Sequence, residues 1–214
     1  IGRSVDDVEM VLHLIHGPRP DRAKAVGYRL NLPRHERIDQ FRVALWSDDV
    51  ACPVSAEVRA AVEFTGDVLA SLGASVNREA RPDLNADACS QLSLWLVAAA
   101  TSPSMGDDDF ARYHAIANDP STPPEVAASL SSFTASHREW MAADVMRQHL
   151  RQQWHLFFQQ YDALVCPVTM TTAFPHNQQG SLPERTVMVD GVERPYMELD
   201  RKSTRLNSSH IPLS

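Results

Sequence analysis

Lysine is almost missing from this sequence: Lys24 and Lys202 stand against 18 arginines. Arginine stays protonated in proteins, so chemistry that needs a neutral amine has very few places to sit. The three cysteines, Cys52, Cys89 and Cys166, lie far apart without a Cys-x-x-Cys pair. That spacing excludes a zinc knuckle and a disulfide framework and fits a reducing cytoplasm. No glycine falls between Trp46 and Ala56, where a dinucleotide-binding loop would have to be, and no Gly-x-Ser-x-Gly elbow occurs anywhere. Long apolar runs are absent too: residues 94–100 fall well short of the roughly 20 that a membrane-spanning helix needs. Positive charge is in deficit, with a formal net charge of -7 and a pI near 5.7 and no basic stripe. Nucleic acid and anionic membrane surfaces are thereby excluded as main partners.

What is present centres on residues 154–176, where the periodicity changes. Val145, Met146, Leu150, Trp154, Phe157 and Phe158 recur at steps of three and four, which predicts one buried face on a helix of about six turns. A short apolar run at 163–165 then predicts a buried strand, closed by Pro167. Pro167 and Pro175 keep the following segment irregular, and it carries the hydroxyls of Thr169, Thr171 and Thr172. Irregular segments at strand ends are where α/β proteins place ligand contacts.

The rest of the chain divides by similar signals. Ser4, with Asp6 and Asp7 behind it, predicts the capped start of a helix over residues 5–16. Val8, Val11, Leu12 and Ile15 form its expected buried face, and Gly17-Pro18 its stop. His13 and His16 could share a metal, but no third ligand is spaced to complete a site, so an exposed helix face is the better reading. Residues 21–40, with Pro20 before them and Pro33 among them, read as a surface connection. A strand at 42–46, a helix at 56–72 ended by Gly73, and a strand at 75–79 make a βαβ unit with parallel strands. Val58, Val62, Thr65, Leu69 and Leu72 mark its expected inner face. Residues 83–160 are helical, with helices at 87–100, 110–118, 125–132 and 136–160, and Pro124 suits a first turn. Asp107, Asp108 and Asp109 diverge too much to grip one cation and read as a solvated helix entry. Residues 186–190 form a strand entering an Asp-Gly turn. The fold class is α/β.

The wording of these segments carries more than their periods. Residues 154–167 read Trp-x-x-Phe-Phe-x-x-Tyr-Asp-x-Leu-x-x-Pro, and Ala-Phe-Pro-His follows at 173–176. Upstream stand the opening Gly-Arg-Ser-Val-x-Asp helix, Arg-Val-Ala at 42–44, Val-x-x-Ala-Val at 58–62 and Leu-Gly-Ala-x-Val at 72–76. Downstream, Val-Asp-Gly at 189–191 is followed by Pro-Tyr at 195–196. In this order the phrases resemble the later part of the amidase signature family, serine hydrolases that cleave carboxamides. The resemblance implies a mixed central sheet flanked by helices, with the helical stretch 83–160 shaping substrate choice. It implies a Ser, cis-Ser, Lys triad placed upstream of the helix that opens this chain, so that no catalytic residue falls inside it. It also implies a small-molecule amide substrate, no metal and no organic cofactor. By the same resemblance the segment 167–176 lies beside the acyl pocket, with Pro167, Thr169 and Phe174 as its candidate residues. Two other readings stay open: a part like the amidase-type subunit of a glutamine-dependent amidotransferase, and a non-enzymatic helical binding module using the faces at 94–97 and 154–158.

The expected organisation is a partial amidase domain over residues 1–199, cut at Ile1 rather than processed, followed by a foreign tail at 200–214. Residues 200–210, Asp-Arg-Lys-Ser-Thr-Arg-Leu-Asn-Ser-Ser-His, have no period or turn logic. They resemble the translation of a common sequencing-library adapter, and such scars stand outside fold reasoning. Resequencing the source locus is expected to show the gene departing from this reading near Leu199. The same codons continuing in the gene would make the tail genuine.

Overall fold

The computed structural model describes residues 2–27, 32, 34–50, 52–180 and 184–199. The expected tail at 200–214 and Pro33 lie outside these residues. Two compact units are distinguished, Ile1–Glu36 and Arg37–Ser214.

The first unit holds one helix, α1, Val5–Ile15. Ser4 starts it: its hydroxyl accepts from the Asp7 N–H at 3.1 Å, while Asp6 and Asp7 place negative charge at the positive end. At the other end the His16 N–H donates to the Leu12 carbonyl, and the chain turns out of the helix. The expected buried face is corrected here. Val8, Val11, Leu12 and Ile15 are all exposed.

The second unit is built round a central strand. β1 (Arg42–Leu45) pairs in parallel with β2 (Ser75–Asn77) on one side and with β3 (Ala163–Val165) on the other. Val43, Ala44 and Leu45 are buried. Because side chains alternate along a strand, the two faces of β1 meet different helices. Leu45 faces α2 (Ala56–Ser71), which joins β1 to β2 as expected of a βαβ unit. Ala44 packs with Trp154 and Phe157, at the far end of α6 (His137–Gln160). Each large side chain buried here contributes roughly 1.5 to 3 kcal/mol.

The inner face of α2 differs from expectation at two positions. Val62 and Gly66 are buried, while Thr65 and Leu72 are exposed. Gly66 lets the helix approach β1 closely: a Cβ there would stand 2.8 Å from Leu45 Cδ2. Thr65 instead turns its hydroxyl to the Ala61 carbonyl at 2.9 Å. Gly73, at φ +95°, ends α2 in the left-handed conformation that glycine tolerates.

Three further helices follow β2: α3 (Ala86–Thr101), α4 (Asp107–Ala117) and α5 (Pro124–Phe133). Asp107, Asp108 and Asp109 form the exposed first turn of α4, and Asp109 pairs with Arg112 at 2.7 Å. Pro124 occupies the first turn of α5. Leu92 and Leu96 of α3 pack on Ala143 of α6 with Trp95, Trp140 and Leu150 around them.

The stripe that α6 buries runs through Ala143, Arg147, Trp154 and Phe157, not through Val145 and Met146, which are exposed. Arg147, only 2% exposed, reaches Asp144 Oδ1 with Nη2 at 2.6 Å and Nε at 2.8 Å. An apolar-period argument misses such a stripe because an arginine buries readily once a carboxylate meets its guanidinium. β3 is also less enclosed than expected: all three residues are half-buried, since β3 pairs with β1 on one side only in the described sheet.

Beyond β3 the chain forms a separate antiparallel hairpin, β4 (Thr186–Val189) and β5 (Val192–Pro195). Asp190 (φ 48°) and Gly191 (φ 81°) make its two-residue turn, both in the left-handed region that such hairpins require.

Carboxylates held below their ordinary pKa make the stability depend on pH. The Glu139 carboxylate accepts from both the hydroxyl and the N–H of Ser136, each at 2.7 Å, and these bonds hold its pKa below the ordinary value. Glu63 is held low in the same direction, first by the Ser47 hydroxyl and then by Arg78. A lowered carboxylate stabilises the fold above its unfolded pKa of about 4.3 and loses that contribution as pH falls through its folded value. Glu139→Gln is therefore expected to flatten the acid limb of the melting temperature against pH. Ser136→Ala should cost about 1 kcal/mol at neutral pH. An unchanged acid limb in Glu139→Gln would refute the assignment.

Candidate functional site

In open parallel sheets, ligand contacts gather outside the carboxyl ends of the strands. β1 and β3 run in the same direction, so the segments leaving them, 46–55 and 166–176, emerge side by side. The ladder closes with the Trp46 N–H donating to the Val165 carbonyl at 2.9 Å. Pro167 has no N–H to offer, and regular pairing stops there.

These two segments are then tied to the start of α2. The Ser55 N–H donates to the Met170 carbonyl at 2.8 Å. Ser55 also caps α2, its hydroxyl accepting from the Val58 N–H at 3.3 Å. The carboxylate of Asp190, brought over by the hairpin turn, accepts from the Ala56 N–H at 2.8 Å. The Thr172 hydroxyl donates to Glu57 Oε2 at 3.2 Å. Below this collar, Cys52, Met170, Val187, Val189 and Leu199 form one buried apolar cluster with Tyr196 against it.

Each of the three expected pocket residues has a distinct setting. Pro167 is buried and Thr169 half-buried, between exposed Val168 and fully buried Met170. Phe174 is 39% exposed, and its ring meets Tyr196 edge to face at 5.9 Å. That contact is with the 3-10 turn that follows β5.

Two contributors are not foreseeable from the sequence. Met170 is the most deeply buried side chain of the segment, within a stretch whose other signals are hydroxyls and prolines. Asp190 signals only turn geometry. A carboxylate that caps a helix 134 residues away leaves no local trace.

The first unit contains Lys24, exposed in the turns after α1, and a single serine, Ser4, engaged as the cap of that helix. His13 lies 3.7 Å from Glu9, and the His16 ring sits 2.7 Å from the Leu12 carbonyl. Among the described residues, no three His, Cys, Asp or Glu side chains gather as a metal site. Among them, too, no helix is long and apolar enough to cross a membrane.

The comparisons with known proteins agree with this architecture. A family model described as Amidase matches residues 1–194. No curated protein matches. Among solved structures, a bacterial aryl acylamidase of the amidase signature enzyme family is similar with a TM-score of 0.63 and 17% identity. The match covers 97% of this chain and 43% of that one, so this chain spans less than half the length of that enzyme. At this identity the likeness is one of fold.

The Asp190 contact can be tested directly. Asp190→Ala removes a charged cap and places alanine at positive φ, and it should cost about 1 kcal/mol or more. Asp190→Asn keeps both an acceptor oxygen and a tolerated left-handed residue, so it should cost much less. Equal losses from the two variants would show that the bond to Ala56 contributes little.

Proposed function

This chain belongs to the amidase family, and from that we propose that it is the wall-forming part of a serine amidase that hydrolyses carboxamide C–N bonds. In this reading residues 1–199 are a partial domain, and the catalytic serine and lysine are supplied by a part of the protein that these residues do not include. The triad implied by the family resemblance needs a lysine that loses its proton near neutral pH, next to two serines. Lys24 is exposed, and the one serine of its unit is occupied at a helix end. That pairing of facts is the observation that carries the proposal. The match to only 43% of a solved amidase signature enzyme supports it.

The segment 167–176 lines the acyl side of the substrate site in this proposal. It leaves a parallel strand at its carboxyl end, and two bonds, Ser55 N–H to the Met170 carbonyl and the Thr172 hydroxyl to Glu57, fix it to the start of α2. A wall fixed in this way is pre-organised. Phe174 is its apolar element. The spacing of the cysteines supports a reducing, cytoplasmic setting.

Two experiments test the reading. The whole chain is offered short aryl and aliphatic amides and then a serine-directed fluorophosphonate; neither turnover nor stoichiometric labelling is expected. Turnover abolished by Lys24→Ala would place the active site within this chain. In an enzyme made complete by the missing part, Phe174→Ala should change the ratio of kcat/KM between small and bulky acyl groups by about tenfold, or roughly 1.4 kcal/mol. A large fall in melting temperature with that ratio unchanged would make Phe174 a core residue instead.

A further inference from the structure

The helical part of the second unit holds a cleft remote in sequence from the segments described above. Its volume is about 270 Å³. Ala99 of α3, Ser102, Phe133 at the end of α5, Ala135, and His137 and Trp140 in the first turns of α6 line it. The two aromatic walls are held from behind. Tyr113 of α4 meets Phe133 edge to face at 5.8 Å, and Trp140 packs against the cluster of Leu92, Leu96 and Ala143.

We propose that this cleft is a binding site for a small molecule built on one aromatic ring with a single polar substituent. The size sets the first limit: a dry cavity of about 150 Å³ accepts benzene. A space of about 270 Å³ admits one ring and a few further atoms. The lining sets the second. Phe133 and Trp140 both belong to the lining, with the small Ala99 and Ala135, and an aromatic guest can meet such rings through offset or edge-to-face contacts. The Ser102 hydroxyl and the His137 imidazole add hydrogen-bonding groups to the lining, which favours a polar substituent over a bare hydrocarbon. None of these residues belongs to the segment assigned to the acyl group, and the cleft is argued from its own lining.

The test uses the whole chain, isotope-labelled so that the indole N–H resonances of Trp46, Trp95, Trp140 and Trp154 are resolved. Trp140→Phe assigns the reporter. Benzamide should shift the Trp140 resonance saturably and leave that of Trp154 unmoved, while cyclohexanecarboxamide, with the same polar group and no aromatic ring, should bind at least about tenfold more weakly. Ala99→Leu fills the cleft and should abolish the benzamide shift. Unchanged positions for Trp46 and Trp154 in that variant will show that the fold is retained, and Ala135→Leu serves if Ala99→Leu does not fold. No saturable shift, equal binding of the saturated analogue, or undiminished binding in the filled variant would each overturn the proposal.

Discussion

The join between α6 and the sheet is the contact on which the second unit depends. Asp162, the last residue before β3, has a side chain only 2% exposed, and it holds Arg42 at the start of β1 in two ways. Its carboxylate accepts from the Arg42 N–H at 2.9 Å and from the guanidinium at 3.0 and 3.2 Å. Its own N–H donates to the Arg42 carbonyl at 2.8 Å. The hydrogen bond to Asp162 in turn holds the Arg42 pKa above its ordinary range. A two-pronged bond of this kind fixes orientation as well as distance. It sets the register in which Val43 lies opposite Ala163, and a one-residue slip would turn every side chain of the strand to the wrong face. Trp154, Phe157 and Tyr161 are positioned by the same join, because the helix that leads to them ends just before it.

From that register the arrangement at the strand ends follows. With β1 and β3 aligned, Trp46 and Val165 finish the ladder together, and the irregular segments beyond are forced to the same edge. The start of α2 then acts as their anchor. Several of its backbone donors would otherwise lack partners, and Ser55 and Asp190 satisfy two of them. An anion would find this helix end already occupied.

Local signals are readable wherever the physics is local. Ser4 and Ser136 stand at the starts of α1 and α6, Gly73 closes α2, Asp190-Gly191 makes the hairpin, and residues 163–165 form β3. What the sequence hides depends on partners distant along the chain. Val145 and Met146 fit the apolar period, yet the buried residues are Ala143, packed against Leu92 and Leu96 of α3, and Arg147, paired with Asp144. The face of α1 reads as buried because amphipathic helices normally find a partner; the choice of partner is not written in the helix itself. For the candidate site, the family phrases mark Pro167, Thr169 and Phe174. The anchors that hold their segment, Ser55 and Glu57, come from another part of the chain.

Three arginines brace this architecture at places where a lysine would not serve. Arg42 grips a carboxylate at two points, and Arg78 bridges Glu63 and Asp67. Arg81 donates to the carbonyls of Leu45, Arg78 and Ala80 while its guanidinium lies 5.1 Å from the Trp46 ring centre. Each task uses the planar, five-donor guanidinium, which a lysine ammonium cannot reproduce. The same property disqualifies arginine as a base, since it does not give up its proton in a protein. A fold braced by arginine therefore gains rigidity without gaining a proton acceptor. The cations that hold this sheet together and the amine an amidase mechanism needs are separate requirements, and the described residues meet the first far more fully than the second.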